Sequence, residues 1–65
     1  MAAEGEDRRL TALVHALRTP LTIVEGFADA LVQRGEEMDA AERAEYAERI
    51  GDAAREMREL LDGVR

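Results

Sequence analysis

His15 is the single histidine of a chain that has no cysteine, and it sits in the run Val14-His15-Ala16-Leu17-Arg18-Thr19-Pro20-Leu21-Thr22. Imidazole is nucleophilic in its neutral form, which is available near neutral pH. On a helix, Arg18, Thr19 and Thr22 would follow His15 by three, four and seven residues and share its face. A guanidinium one turn away can balance the charge of a phosphoryl group arriving at or resident on the ring. A threonine hydroxyl there can orient a water. Pro20 is the odd residue of the run. It lacks an N–H and its ring crowds the carbonyl of Ala16, so a helix continuing through it loses about 3 kcal/mol, partly relieved by bending. A kink beside His15 is therefore expected, and local conflicts of this kind tend to mark functional sites.

The elements that must carry these residues are legible from apolar spacing. Leu10, Val14, Leu17, Leu21, Val24, Ala28 and Leu31 alternate in steps of four and three, an unbroken heptad pattern. Leu13, Pro20 and Phe27 recur beside it and widen the stripe to a bundle-type face. Glu6 or Asp7 can cap the start and Gly35 stops the end, which predicts a helix over about 7–34. Tyr46, Ile50, Ala53, Met57, Leu60 and Val64 repeat the pattern, with Ala47, Ala54 and Leu61 alongside. Asp39-Ala40-Ala41-Glu42 reads as a capping box, which predicts a second helix over about 40–63. Glu45 with Arg49, Arg55 with Glu59 and Arg58 with Asp62 stand four apart on outward faces and read as a solvated surface. Met38 is expected to be loop filler, Met57 core filler, and Tyr46 core-edge packing.

A turn over about 35–39 forces the two helices to be antiparallel neighbours. The predicted fold is all-α, a single domain over 1–65 formed by an antiparallel helical hairpin. A chain of 65 residues buries little of its surface alone. With no cysteine and one histidine, disulfides and thiolate or histidine-rich metal sites are excluded as supports. The stripe is too wide for one partner helix, so two hairpins are expected to close a homodimeric four-helix bundle.

Composition narrows the function classes. Fifteen acidic residues against nine basic ones, all of them arginine, give a net charge of −6. Such a chain repels phosphate backbones and anionic membranes, so neither nucleic acid nor direct membrane contact is expected. No apolar run approaches the ~18 residues that span a bilayer, and Met1 to Asp7 lack the features of a secretory signal. The expectation is a soluble, cytoplasmic domain, with any membrane anchor of the parent protein lying elsewhere.

The His15 run resembles the H-box of sensor histidine kinases, whose usual form is His, Glu or Asp, Leu, Arg, Thr, Pro, Leu. His15, Leu17, Arg18, Thr19, Pro20 and Leu21 match it, and Thr22 and Ile23 are of common type. Glu25 to Leu31 is similar to the continuation of that family's first helix, and Tyr46 to Arg65 to its second. The resemblance covers about residues 8–65. It implies a dimerisation and histidine-phosphotransfer domain of a two-component system. His15 would take phosphate from ATP bound, with Mg, by a separate catalytic domain of the same kinase. It would then pass that phosphate to an aspartate on the receiver domain of a response regulator, docked on the bundle below the histidine. Thr19 corresponds to the residue many members use to dephosphorylate the regulator, and Arg18 is the candidate phosphate contact. The chain has no Gly-rich nucleotide loop and no asparagine for an ATP box. It is therefore expected to need no cofactor of its own, to be a piece of a larger kinase, and not to autophosphorylate alone.

One position departs from the family. The residue after the histidine is normally acidic and serves as general base on the imidazole; here it is Ala16. A positioned base contributes typically about 10²–10⁴-fold in rate, and Glu25 is too many turns away to replace it. Slow phosphorylation, or another carboxylate in that role, is the expectation. The rival reading is a catalytically silent dimerisation and signal-transmission bundle. A third is a generic acidic hairpin for a basic partner, with no dependence on His15.

Overall fold

The computed structural model describes the backbone of residues 2–63 and the side chains of residues 5–63. It consists of helix α1, Ala2–Arg34, and helix α2, Ala40–Asp62, joined by a short turn. α1 starts ahead of the expected position near Asp7. Ala2, Ala3, Glu4 and Glu6 are good helix formers, and the single Gly5 is tolerated, so the helix runs on past the proposed Glu6 or Asp7 cap. α1 also continues unbroken through Pro20.

The turn is closed by local hydrogen bonds. The Gly35 N–H donates to the Leu31 carbonyl oxygen (3.0 Å), and the N–H groups of Glu37 and Met38 donate to the Arg34 carbonyl oxygen (3.0 and 3.2 Å). A Cβ at position 35 would fall inside contact distance of the Leu31 carbonyl oxygen, which accounts for glycine there. The capping box forms as expected. The Glu42 N–H donates to the Asp39 carboxylate (2.8 Å), and the Asp39 N–H donates to the Glu42 carboxylate (3.4 Å). Arg43 reaches back to donate to the Gly35 carbonyl oxygen (3.0 Å) and to that of Met38. Met38 is not loop filler: it is 6% exposed and, with Ala53 and Pro20, among the most buried residues of the chain.

The hairpin seam uses one of the two overlapping stripes of α1. Leu13, Leu17, Pro20, Val24, Phe27 and Leu31 are half-buried or buried, in steps of four and three. From α2, Tyr46, Ile50, Ala53, Met57 and Leu60 meet them; Val64, assigned to the same stripe, lies outside the described residues. The Phe27 and Tyr46 rings pack edge to face, with centroids 4.9 Å apart. In an antiparallel pair that contact brings Pro20 to the level of Ala53, the smallest residue of the α2 stripe, where both are buried.

The remaining stripe is uncovered. Leu10, Val14, Leu21 and Leu61 are 57%, 49%, 43% and 53% exposed. By helical register they lie on one side of the hairpin, with Ala47 and Ala54 exposed on the same side. The molecule measures 54 × 18 × 10 Å and has a radius of gyration of 15.7 Å. A compact domain of this length would have about 11 Å. Two helices side by side form a slab, and a slab encloses no core.

Candidate functional site

His15 is exposed on α1. Its position is turned about 160° from the centre of the hairpin seam, so it stands on the outer edge of the first helix, away from α2. Arg18, Thr19 and Thr22 are exposed on the turns that follow, as their spacing requires. The backbone here is short of one bond: Pro20 offers no N–H to the Ala16 carbonyl, one residue after His15. The Thr22 hydroxyl donates to the Arg18 carbonyl oxygen (2.8 Å). This back-bond occupies the Thr22 proton, so of the two threonines that follow His15 it is Thr19 whose hydroxyl is left to meet a water or a partner. Such back-bonds also loosen or bend a helix, so Thr22 adds to the effect of Pro20 on the same two turns.

No carboxylate adjoins the histidine. Residues 8–24 contain Arg8, Arg9, Arg18 and His15 and no aspartate or glutamate. Residues 25–48 contain eight acidic residues and two arginines, a net of −6 that equals the net charge of the whole chain. Among the described residues there is no cluster of three or more potential metal ligands. No described helix is long and apolar enough to cross a membrane.

The face opposite the uncovered apolar stripe carries an open groove. Thr22, Ile23, Gly26, Phe27, Ala30 and Tyr46 line about 380 Å³ of it, mostly apolar. Its neighbour along the seam, about 260 Å³, adds Arg49, Asp52 and Glu56 from α2 as a charged rim. Spacing continues the row of small residues, beyond the groove itself, back along α1 to Thr19, Ala16 and Ala12, on the turns around His15.

A family model described as the His Kinase A (phospho-acceptor) domain, HisKA, matches residues 6–65. The chain belongs to the HisKA family. No curated protein and no solved structure gives a match. The HisKA assignment agrees with the resemblance carried by His15 to Leu21 and with the helical hairpin. HisKA domains are the phospho-acceptor and dimerisation domains of histidine kinases.

Several features of this HisKA domain had no sequence signal of their own. The Arg43 side chain looked like any surface arginine, yet it binds the turn carbonyls. On the surface of α2, Arg55 pairs with Asp52, three residues before it, where the spacing had suggested Glu59. Both side chains are largely exposed, so the choice between them has little consequence for stability. The groove was hard to see because Ala12, Ala16 and Ala30 carry no chemistry and sit outside the heptad; Gly26, as a position that lets a partner approach closely, was its one sequence signal.

Proposed function

We propose that this domain dimerises through its uncovered stripe and receives a phosphoryl group on His15 from ATP held by a separate catalytic domain. The group then passes to an aspartate on a response regulator receiver. The single observation that carries the reading is the placement of His15. It is exposed on the edge of α1 away from the seam, with Arg18 one turn on, so two different partners can reach it in turn.

Dimerisation is supported by the row of Leu10, Val14, Leu21 and Leu61. An apolar stripe of this length on a slab with so few buried residues needs a partner, and a second copy offers the matching face in a symmetric pair. The groove beside Ile23, Gly26 and Ala30 supports regulator docking below the histidine. It is apolar, begins at Thr22 two turns beyond His15, and its small residues allow a helix to approach closely. Thr19 lies between the two and is the residue proposed to position water for dephosphorylation of the regulator.

Ala16 favours a second reading. It is exposed, carries no proton acceptor, and has no carboxylate nearby along the helix. A domain so built is a silent dimerisation and signal-transmission bundle if nothing replaces the base. The experiment that separates the two mixes the domain with ATP and the catalytic domain of its parent kinase and measures acid-labile phosphate on His15. Ala16→Glu and His15→Gln run alongside. The phosphotransfer reading expects label on the original chain, more on Ala16→Glu, and none on His15→Gln. Label on Ala16→Glu alone identifies a silenced acceptor. No label on either, with the dimer folded, leaves the signal-transmission reading.

A further inference from the structure

The two long faces of the hairpin differ in charge as well as in shape. By helical register, Glu42, Glu45, Asp52, Glu56 and Glu59 of α2 turn to the side of the groove, and Glu48 stands on the outer edge. The same helix gives the side of the uncovered stripe Arg43, Ala47, Ala54, Arg58 and Leu61. Arg49 is the arginine that α2 turns to the groove, and Arg55, on the outer edge, pairs with Asp52. Glu42 is engaged in the capping box. The α1 wall of the groove, Thr22, Ile23, Gly26 and Ala30, is uncharged, with Asp29 at its outer edge and Arg34 toward the turn. The groove therefore has an apolar floor, one neutral wall and one wall on which Glu45, Asp52 and Glu56 outnumber Arg49, all four exposed.

We infer that this groove selects its partner by charge. It takes an amphipathic helix whose apolar face lies over Ile23, Gly26 and Ala30 and whose flank toward α2 carries lysine or arginine. An acidic wall beside an apolar floor draws such a helix in and repels an acidic one. The inference rests on the reading of the groove as the docking site of the regulator, and it adds which receivers are admitted: those with a docking helix basic on one flank. The selection acts on encounter and on partner choice, so salt weakens it. Arg49 opposes it, and its removal strengthens the preference.

The test uses two helical peptides of about 20 residues, long enough to hold a helix. Both have the same leucine and alanine face; one has lysine flanks and the other glutamate flanks. Each is titrated into the isotopically labelled chain, where amide NMR shifts report both affinity and place of binding, at about 20 mM and about 500 mM salt. Gly26→Leu closes the groove. Nothing lies within 4 Å of a Cβ at that position, and leucine is the better helix former, so the fold is retained. At low salt the lysine peptide should shift Ile23, Gly26 and Ala30, bind at least about tenfold more tightly than the glutamate peptide, and lose binding to Gly26→Leu. A unit charge about 7 Å away changes affinity by about two- to threefold in a water-like dielectric. Glu45→Gln and Glu56→Gln should each weaken the lysine peptide by that factor, and Arg49→Gln should strengthen it. Glu25→Gln, on the far side of α1, should leave it unchanged, and high salt should level all these differences. No binding of the lysine peptide at about 1 mM, the range of weak contacts, or equal affinities of the two peptides, would overturn the inference. So would binding that survives Gly26→Leu or responds equally to Glu25→Gln, since net charge alone would then account for it. The docking reading is scored separately, by transfer from the phosphorylated chain to the receiver domain of the kinase's regulator. Transfer slowed by Gly26→Leu but indifferent to Glu45→Gln, Glu56→Gln and Arg49→Gln keeps the docking reading and overturns selection by charge. Transfer untouched by Gly26→Leu overturns the docking reading, while the preference of the groove for a basic helix stands on the peptides.

Discussion

At the turn end of the hairpin, Asp39 and Glu42 cap α2, Arg43 binds the carbonyls of Gly35 and Met38, and Met38 is buried beneath them. At the His15 end, Leu10, Val14, Leu21 and Leu61 face solvent, and His15 itself is exposed. The turn satisfies its polar groups with neighbours close in sequence, so it can form in an isolated chain. The His15 end has its apolar groups in place and nothing among the described residues covers them. The turn end is closed by its own residues, with Val32 alone left 85% exposed beside it, and the other end is the one that the proposed dimer would complete. Charge divides along the same line, with the acidic excess in residues 25–48 and the carboxylate-free stretch at residues 8–24. The proposed phospho-acceptor, which would admit partners in turn, stands on this open end, where Pro20 also removes a helix hydrogen bond.

The sharpest way to break this contrast is Leu21→Glu. A charge in the middle of the uncovered stripe would be buried without a counter-ion in the proposed dimer, at a cost of about 3 kcal/mol or more. Sedimentation should show dissociation, with the apparent dimer Kd raised at least about 100-fold. A variant that remains a tight dimer would mean that the interface lies elsewhere. Met38→Ala tests the turn end and should lower stability by about 2 kcal/mol in denaturant melts, the low end for a buried methionine beside a surface loop. Its dimer Kd at native conditions should change far less than that of Leu21→Glu. Equal effects on association would show that the two ends are not separable. Asp39→Ala removes half of the capping box and should lower stability by about 1 kcal/mol. A loss under a few tenths of a kcal/mol would leave Arg43 and Met38 as the main closures of the turn.

Much of this was readable from residue order because it depends on local rules. The helix pair follows from periodic apolar residues, the α2 start from Asp39 and Glu42, and the family from His15, Leu17, Arg18, Thr19, Pro20 and Leu21. Where the reading missed, the missing information was spatial. The early start of α1 shows that a good cap residue such as Asp7 does not end a helix when the residues before it are also helix formers. Met38 shows that a residue in a connection is buried when the turn folds it inward, which composition does not reveal.

The sequence by itself determined the helical hairpin, the level of His15 on the first helix and the loss of a proton acceptor at Ala16, since each depends on residue type and on 3.6-residue periodicity. Only the tertiary structure decided which of two interleaved stripes becomes the seam. Leu13, Leu17, Pro20, Val24, Phe27 and Leu31 turn toward α2, and Leu10, Val14 and Leu21 are left outward. The two stripes share Leu17, Val24 and Leu31 and differ by a rotation of the helix about its own axis. Spacing along one chain is unchanged by that rotation; it is fixed by the fit of Phe27 to Tyr46, and of Pro20 to the small Ala53, across the turn. That rotation sets His15 on the outer edge of the slab, with an apolar face on one side and a groove on the other.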